Sequence, residues 1–269
     1  MENINQTEAV INTPVTNIPA ATSPSMQKQK LTPTFKILEN AILVWWKNLN
    51  KILKVYWEAI KFTLIPLGII LVLLILNFVF ANNVAVSSML KVLGLTVGVV
   101  ALVFAIYFSI RAYMGVYLLI GKNYEGEAKE IFKETKDLFW PYIGLSLLTA
   151  LLIIGWTLLL IIPGIIFSVL YSFAVYAFFF EGERGMEAIK SSRALVKGYF
   201  WPVVGRILLL SLILWVVTAI IAAPLSAMTK DSAGYTLWNT VVQIFSFLIG
   251  PIAILFSYNI YTDLVKIKK

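Results

Sequence analysis

Of 269 residues, 59% are hydrophobic and 13% are charged, about half the charged share of an ordinary soluble domain; mean hydropathy is +0.85, so a soluble fold of this length would lack the polar cover its surface needs. The net charge is +8, but the basic residues flank apolar runs, which points to lipid headgroups and membrane orientation and not to nucleic acid. The absence of Cys and His excludes disulfides, Ser-His-Asp triads, Cys nucleophiles and His- or Cys-ligated zinc, and no cofactor or metal site is expected.

Residues Met1 to Thr34 are rich in Asn, Thr, Pro and Ser and lack an apolar core. They are expected to form a disordered cytoplasmic tail, not a signal peptide. From Phe35 to Lys61, Leu38, Ile42, Trp45, Leu49, Ile52 and Tyr56 recur at helical spacing, with Lys47, Lys51, Lys54 and Lys61 on another face. This pattern predicts a basic amphipathic helix on a membrane surface.

Phe62 to Leu90 carries no charge and is long enough for a first span. Asn82 and Asn83 mark its exit. A second span is expected from about Val92 to Ile110, closed by Arg111, with the helix continuing towards Leu119. Glu125 to Leu138 reads as a short charged surface helix with an apolar stripe of Ala128, Ile131, Phe132 and Phe139.

Phe139 to Phe180 is uncharged over 42 residues. A single helix of that length would measure about 63 Å, twice the hydrocarbon thickness. The chain must therefore turn, and Ile162-Pro163-Gly164-Ile165 is the expected place. Two spans follow from this, Trp140 to Ile162 and Ile165 to Phe180. A re-entrant pair that does not cross is the alternative left open by the short second member. A third amphipathic segment runs from Glu181 to Tyr199, then a fifth span from Trp201 to Ala223. The sixth runs from Leu237 to Tyr261, with Gly250-Pro251 expected to bend it.

Of the 22 Lys and Arg residues, all but Lys91 and Lys230 fall on one side of these spans. The positive-inside rule then puts both termini in the cytoplasm and requires an even number of spans. The expected fold is all-α, a polytopic bundle of about six spans in a cytoplasmic (inner) membrane, with interfacial amphipathic helices.

A gapless shift of 61 residues aligns the chain with itself. Lys129, Lys136, Phe139, Trp140, Pro141, Gly144, Leu147, Leu148, Leu151, Thr157 and Pro163 meet identical residues, 11 identities in 35 positions. The unit is a surface helix followed by a membrane hairpin. Both copies start on the same side, so the repeat is parallel. It divides the chain into a tail (1–34), an interfacial helix (35–61), a first hairpin (62–121), a second unit (122–181) and a third (182–269). In each copy the pairs Trp140-Pro141 and Trp201-Pro202 are expected where the chain enters lipid. Trp prefers the headgroup level, and Pro is tolerated in a first helical turn.

The proposed span cores hold no Asp, Glu, Lys or Arg, with Arg206 about one turn inside the fifth span and able to reach the interface, whereas proton relays and ion-coupled pumps place an ionisable group in the core. Among the polar residues that remain, Gln243 and Asn259 are the candidates for interhelical contacts or contact with a solute.

The run Ile162-Pro163-Gly164, the stretch ending Phe178-Phe179-Phe180-Glu181, and Glu187-Ala188-Ile189-Lys190-Ser191-Ser192-Arg193 with Leu195-Val196-Lys197-Gly198 form a distinctive set. With Tyr261-Thr262-Asp263-Leu264, it resembles the membrane domain attached to some bacterial glycerophosphodiester phosphodiesterases and its stand-alone relatives. The resemblance implies a polytopic bacterial membrane protein. In the fused enzymes catalysis resides in a separate barrel of about 250 residues, whose catalytic histidines are absent here, so the hydrolase activity does not carry over. Glu187, Lys190, Ser191, Arg193, Lys197 and Gly198 have two readings. One is an interfacial helix with water-facing pairs; the other is a docking surface for anionic headgroups or a cytoplasmic partner.

Three functions follow in order of expectation. The first is a non-catalytic module organising lipid, a membrane partner or copies of itself. The second is a transporter or channel for an uncharged or amphipathic solute. The third is a membrane enzyme, for which only Glu125, Glu181, Glu183 and Asp263 are placed. The missing cysteines suit topology labelling, with Ser192 and Ser232 expected on opposite sides.

Overall fold

The computed structural model describes residues 31–268. Those residues are almost all helical, with no strand among them. Helices α1 (Thr34–Val79) and α2 (Val84–Gly121) form a first hairpin. Helices α3 (Ala128–Leu159) and α4 (Ile161–Leu170) form a second. After a turn come the three-residue α5 (Ala174–Tyr176), a π-helical turn (Ala177–Glu181) and α6 (Gly185–Val196). The third hairpin is α7 (Phe200–Ala222), a 3₁₀ turn (Ala223–Ala227) and α8 (Ala233–Lys268).

Among the described residues, six helical stretches are long and apolar enough to cross a membrane. These are α1, α2, α3, the stretch Ile161–Glu181, the stretch Phe200–Ala227, and α8. The chain is thus an all-α, multi-pass membrane protein. Its apolar residues are distributed unlike those of a soluble bundle. Phe78 is 84% exposed, Leu158 82% and Leu95 72%, far beyond the scattered apolar exposure of a soluble monomer. The tips of the hairpins hold almost no buried side chain, and Ser87, which donates to Asn77 Oδ1 at 2.8 Å, is the exception in the first. Asn83 caps α2 by accepting from the Val86 N–H at 3.2 Å, as its place at the span exit predicts.

The core lies at the other end of the hairpins. Ile52, Val55, Val116, Phe173, Phe256 and Ile260 bury there with their neighbours. A second cluster joins α3, α5, the π-helical turn and α6 through Leu145, Ala174, Phe178, Ala188 and Ile189. Lipid tails are as apolar as these side chains, so close packing and polar ties between helices, not escape from water, hold the spans together. Three such ties place donors on helix carbonyls. Trp45 Nε1 donates to Leu248 O at 3.1 Å, the Tyr176 hydroxyl to Ile254 O at 2.9 Å, and Trp238 Nε1 to Ile221 O at 2.9 Å.

Several expectations need correction. The segment 35–61 is not a separate surface helix, because α1 runs unbroken from Thr34 through Lys61 to Val79. Its buried face (Ile37, Ala41, Ile52, Val55, Tyr56) packs in the core. The charged segment 125–138 is, from Ala128 onward, likewise continuous with the third span, so Trp140-Pro141 lies inside α3 and not at its start. Only the third such segment separates. There α6 ends at Val196, Gly198 takes φ +90°, and α7 begins at Phe200. Glycine enters that left-handed conformation without strain. The aligned residue of the second unit is Asp137, and there the helix continues. Pro202 does fall in the first turn of α7. The turn between α3 and α4 lies at Leu160, which is extended at φ −158° and ψ 132°, two residues before its expected start. Pro163 falls in the first turn of α4 instead, where its missing N–H costs nothing.

The tail expected over 1–34 lies outside the described residues as far as 30. Its last residues are held. The Thr32 N–H donates to Asp263 Oδ2 at 3.2 Å, and Arg206 donates to Thr32 O at 2.5 Å. A backbone unit saturated from both sides by charged side chains does not read as a free tail.

Candidate functional site

Helix α6 positions most of the motif residues. Ala188, Ile189, Ser192 and Val196 are buried at i, i+1, i+4 and i+8. Glu187, Lys190, Arg193 and Lys197 are exposed on the opposite side, with Ser191 half-buried between them and Gly198 exposed at the end. The Arg193 guanidinium sits 5.8 Å from the Phe167 ring centroid, within cation–π range, and so leans its stem on α4.

Ser192 fixes the helix in place. Its hydroxyl donates to Leu170 O at 2.7 Å and accepts from the Phe173 N–H at 3.1 Å. It thereby satisfies backbone groups freed where α4 breaks off. Ser192 is 1% exposed, so the expectation that it could carry a label fails.

Beside α6 lies a cleft of about 290 Å³ bounded by the π-helical turn and the end of α8. The Tyr261 hydroxyl donates to Glu181 Oε1 at 2.7 Å, and the Ser191 hydroxyl donates to Glu183 Oε1 at 2.7 Å. Lys268 donates to the carbonyls of Ala194 and, at 2.8 Å, Lys197. These are the last acceptors of α6, where a cation also meets the negative end of the helix dipole. A π turn, rare and frequent at functional sites, supplies Glu181.

The remaining candidates lie apart from this cleft. Trp140 and Trp201 are 76% and 78% exposed, and Pro141 and Pro202 are exposed beside them. Gly164 is buried in the α3–α4 hairpin against Thr157. Gln243 is exposed on α8, which corrects the expectation that it would need an interhelical partner. Asn259 does make one, donating to Ile37 O on α1 at 3.4 Å. Of the carboxylates suited to an enzyme, Glu181 and Glu183 both lie near Tyr261, the first accepting from its hydroxyl and the second from the Ser191 hydroxyl, whereas Asp263 meets Thr32 and Glu125 is exposed in the α2–α3 turn. No metal-holding group of three His, Cys, Asp or Glu occurs among the described residues.

Two further clefts open between helices. One of about 370 Å³ lies among α1, α2 and α8, where Tyr56, Thr63, Ser109, Tyr113 and Ser246 bring hydroxyls to a mostly apolar wall. Thr63 and Ser246 donate to Ile60 O and Val242 O of their own helices, so they present little free polarity. A smaller cleft of about 170 Å³ adjoins it through Tyr113.

Arg111 is the functional-looking residue that sequence reasoning missed. It read as the charge closing the second span, yet it is 8% exposed. Its Nε donates to Thr135 Oγ1 at 2.9 Å and its Nη2 to Phe132 O at 2.6 Å. The guanidinium stands 4.3 Å from the Phe132 ring centroid, with Tyr107 and Phe108 at 5.5 and 5.9 Å. No local signal in α2 announces this, since the partners arrive on α3. In the α2–α3 turn, Lys51 donates to Tyr124 O at 2.7 Å. Burial, with Tyr258 as a lesser cause, pushes the Tyr124 phenol well above its ordinary range, so it stays neutral wherever the protein works.

Compared with known proteins, the chain matches no family model, no curated protein and no solved structure.

Proposed function

We propose that the chain is a non-catalytic module of a bacterial cytoplasmic membrane, with both termini in the cytoplasm, that organises anionic lipid or a membrane partner through the exposed face of α6. The observation that carries this reading is the two-sided character of α6. One side is buried and pinned by Ser192, while Lys190, Arg193 and Lys197 form a basic stripe at spacings of three and four on the other. A rigid helix presenting cations beside apolar spans suits anionic headgroups, each cation contributing about 1 kcal/mol. The likeness of residues 162–198 to a phosphodiesterase-linked membrane domain supports the bacterial membrane setting, and span cores without ionisable groups argue against ion coupling. The 61-residue repeat belongs to the module reading too. Aligned pairs share burial (Ile131 with Ser192, Thr135 with Val196, Leu145 with Arg206) and exposure (Trp140 with Trp201).

Replacing Lys190, Arg193 and Lys197 together with Gln is expected to lower retention on phosphatidylglycerol vesicles by about tenfold or more, with the fold intact. Unchanged retention would remove lipid docking from this face. For orientation, Ala194→Cys replaces the unsuitable Ser192 position and pairs with Lys230→Cys, both residues being exposed. An impermeant maleimide added to sealed inside-out vesicles is expected to label position 194 and spare 230. Labelling of both from one side would overturn the topology.

The paired clefts meeting at Tyr113 favour a second reading, passage of an uncharged or amphipathic solute. Flux in liposomes across a solute panel would be its mark, and no flux would dismiss it.

A further inference from the structure

Two hydroxyls in the cleft among α1, α2 and α8 have no partner among the described residues. Thr63 and Ser246 donate to carbonyls of their own helices, and Tyr113 meets Tyr117. Tyr56 and Ser109 line the same cleft and make no hydrogen bond through their hydroxyls. Tyr56 is 6% exposed, and burying a hydroxyl without a partner costs free energy. Ser109 departs from the habit of serines in apolar helices, which return the hydroxyl to a carbonyl one turn back, as Ser88 and Ser246 do. A third polar group comes from the backbone. Position 251 is proline, so the carbonyl of Phe247 lacks the N–H it would meet one turn on. Trp45 donates to the next carbonyl, Leu248 O, and not to this one. Phe247 lines the cleft, with its ring centroid 4.4 Å from that of Tyr56.

These groups and the wall around them define a ligand. A hydroxyl donates and accepts, whereas a freed carbonyl only accepts. A ligand group that does both, an alcohol, can satisfy all three. Among the described residues no charged side chain lines the cleft. Lys61 and Arg111 stand next in sequence to the lining residues Ile60 and Ala112, but Lys61 pairs with Glu58 at 2.8 Å and Arg111 is turned to Thr135 and Phe132 on α3. A charged head would therefore enter an apolar wall without a counter-charge, at a large desolvation cost. The wall residues Ile60 and Phe247 are 39% and 49% exposed, like the apolar side chains along the rest of these spans, so the cleft opens sideways to lipid and its ligand arrives from the bilayer. We propose that this cleft binds a neutral lipid, an apolar chain ending in a hydroxyl, with Tyr56, Ser109 and the Phe247 carbonyl holding the hydroxyl and Ile60 and Phe247 flanking the chain. The inference rests on the cleft invoked for passage of an uncharged or amphipathic solute and names its ligand class; it requires binding alone and not transit.

The test uses the full-length protein in detergent and a scintillation proximity assay with tritiated oleyl alcohol, for which saturable binding is expected. Two unlabelled competitors share its chain length. Octadecene lacks the hydroxyl, and oleyl phosphate carries a charge at every working pH. Each is expected to compete at least about tenfold more weakly than the alcohol. Tyr56→Phe keeps the ring against Phe247 and is expected to weaken binding about three- to tenfold, the worth of one hydrogen bond. Ser109→Leu fills the cleft from an exposed helical position and should weaken binding by about tenfold or more. Thr96→Leu, at an exposed position elsewhere on α2, should change nothing. The exposure of Ser109 means that its variant should fold even if Tyr56→Phe does not. Equal binding by the wild type and Ser109→Leu would overturn the site, as would the absence of saturable binding. Equal competition by oleyl phosphate would overturn the neutral head. Saturable binding without solute flux in liposomes upholds this site and dismisses passage, whereas flux without saturable binding upholds passage and overturns the site.

Discussion

Replacing Gly164 with alanine is expected to destabilise the α3–α4 hairpin by about 2–4 kcal/mol, the upper range for forcing extra volume into a closed contact. A Cβ built on Gly164 would lie 2.8 Å from Thr157 Cα and 2.9 Å from Thr157 Cβ, with Thr157 Oγ1 nearer still. Two of those atoms are backbone or one bond from it, so a side-chain rotation cannot relieve the contact. The Thr157 hydroxyl donates to Ile153 O at 2.7 Å and has its own reason to stay. Unfolding in a denaturing-detergent titration reads the loss. Thr157→Ala on the Gly164→Ala background should recover only the Oγ1 share, while Thr157→Gly should recover more, because it also removes Cβ. A Gly164→Ala protein as stable as the parent would mean that the hairpin does not close at this point.

The same hairpin shows what the sequence could and could not disclose. An uncharged run too long for one span forced a turn, and that argument from length was sound. Placing the turn on Pro163-Gly164 failed because both residues serve the following helix: the proline sits in its first turn, and the glycine lets it approach Thr157. Signals of composition mark a neighbourhood, whereas the site of the break depends on a packing partner on the other strand of the hairpin. The surface helices failed for a related reason. Charge told where apolar character begins, but helix hydrogen bonding takes no notice of that boundary. Without a residue such as Gly198 to leave the helical region, α1 and α3 run straight through it.

The candidate site was legible in part for the same cause. The alternation along α6 predicted one exposed and one buried face, and Lys190, Arg193 and Lys197 fall on the exposed one. That Tyr261 would meet Glu181, 80 residues earlier, and that Lys268 would close the end of α6, were not legible. Those contacts depend on α8 returning along the bundle. Asn259 and Gln243 make the contrast within one helix. Both are amides in an apolar setting, yet Asn259 faces α1 and Gln243 faces outward. Composition cannot tell the two faces of a span apart when lipid lies on one and protein on the other.

Arg111 carries the second large effect, and its expected result runs against simple contact counting. Thr135→Val preserves side-chain shape but removes the oxygen that accepts from Arg111 Nε and donates to Phe132 O. A buried guanidinium then keeps its charge and loses a hydrogen bond, which should cost about 2–3 kcal/mol. Arg111→Met removes the cation together with its need for partners. It forfeits the ring contacts with Phe132, Tyr107 and Phe108, about 1–2 kcal/mol, but leaves Phe132 O still satisfied by Thr135. In the double variant nothing polar remains to be partnered except that carbonyl. Replacing a buried charged group and its partner by apolar shapes is often close to neutral. The double variant should therefore be more stable than Thr135→Val alone, with a coupling energy of about 1–2 kcal/mol in a double-mutant cycle. Thr135→Ser, which retains the hydroxyl, should stay within about 1 kcal/mol of the parent. Simple additivity in the cycle would show that Arg111 finds water or lipid phosphate as readily as Thr135, and that α2 and α3 are joined here by the rings alone.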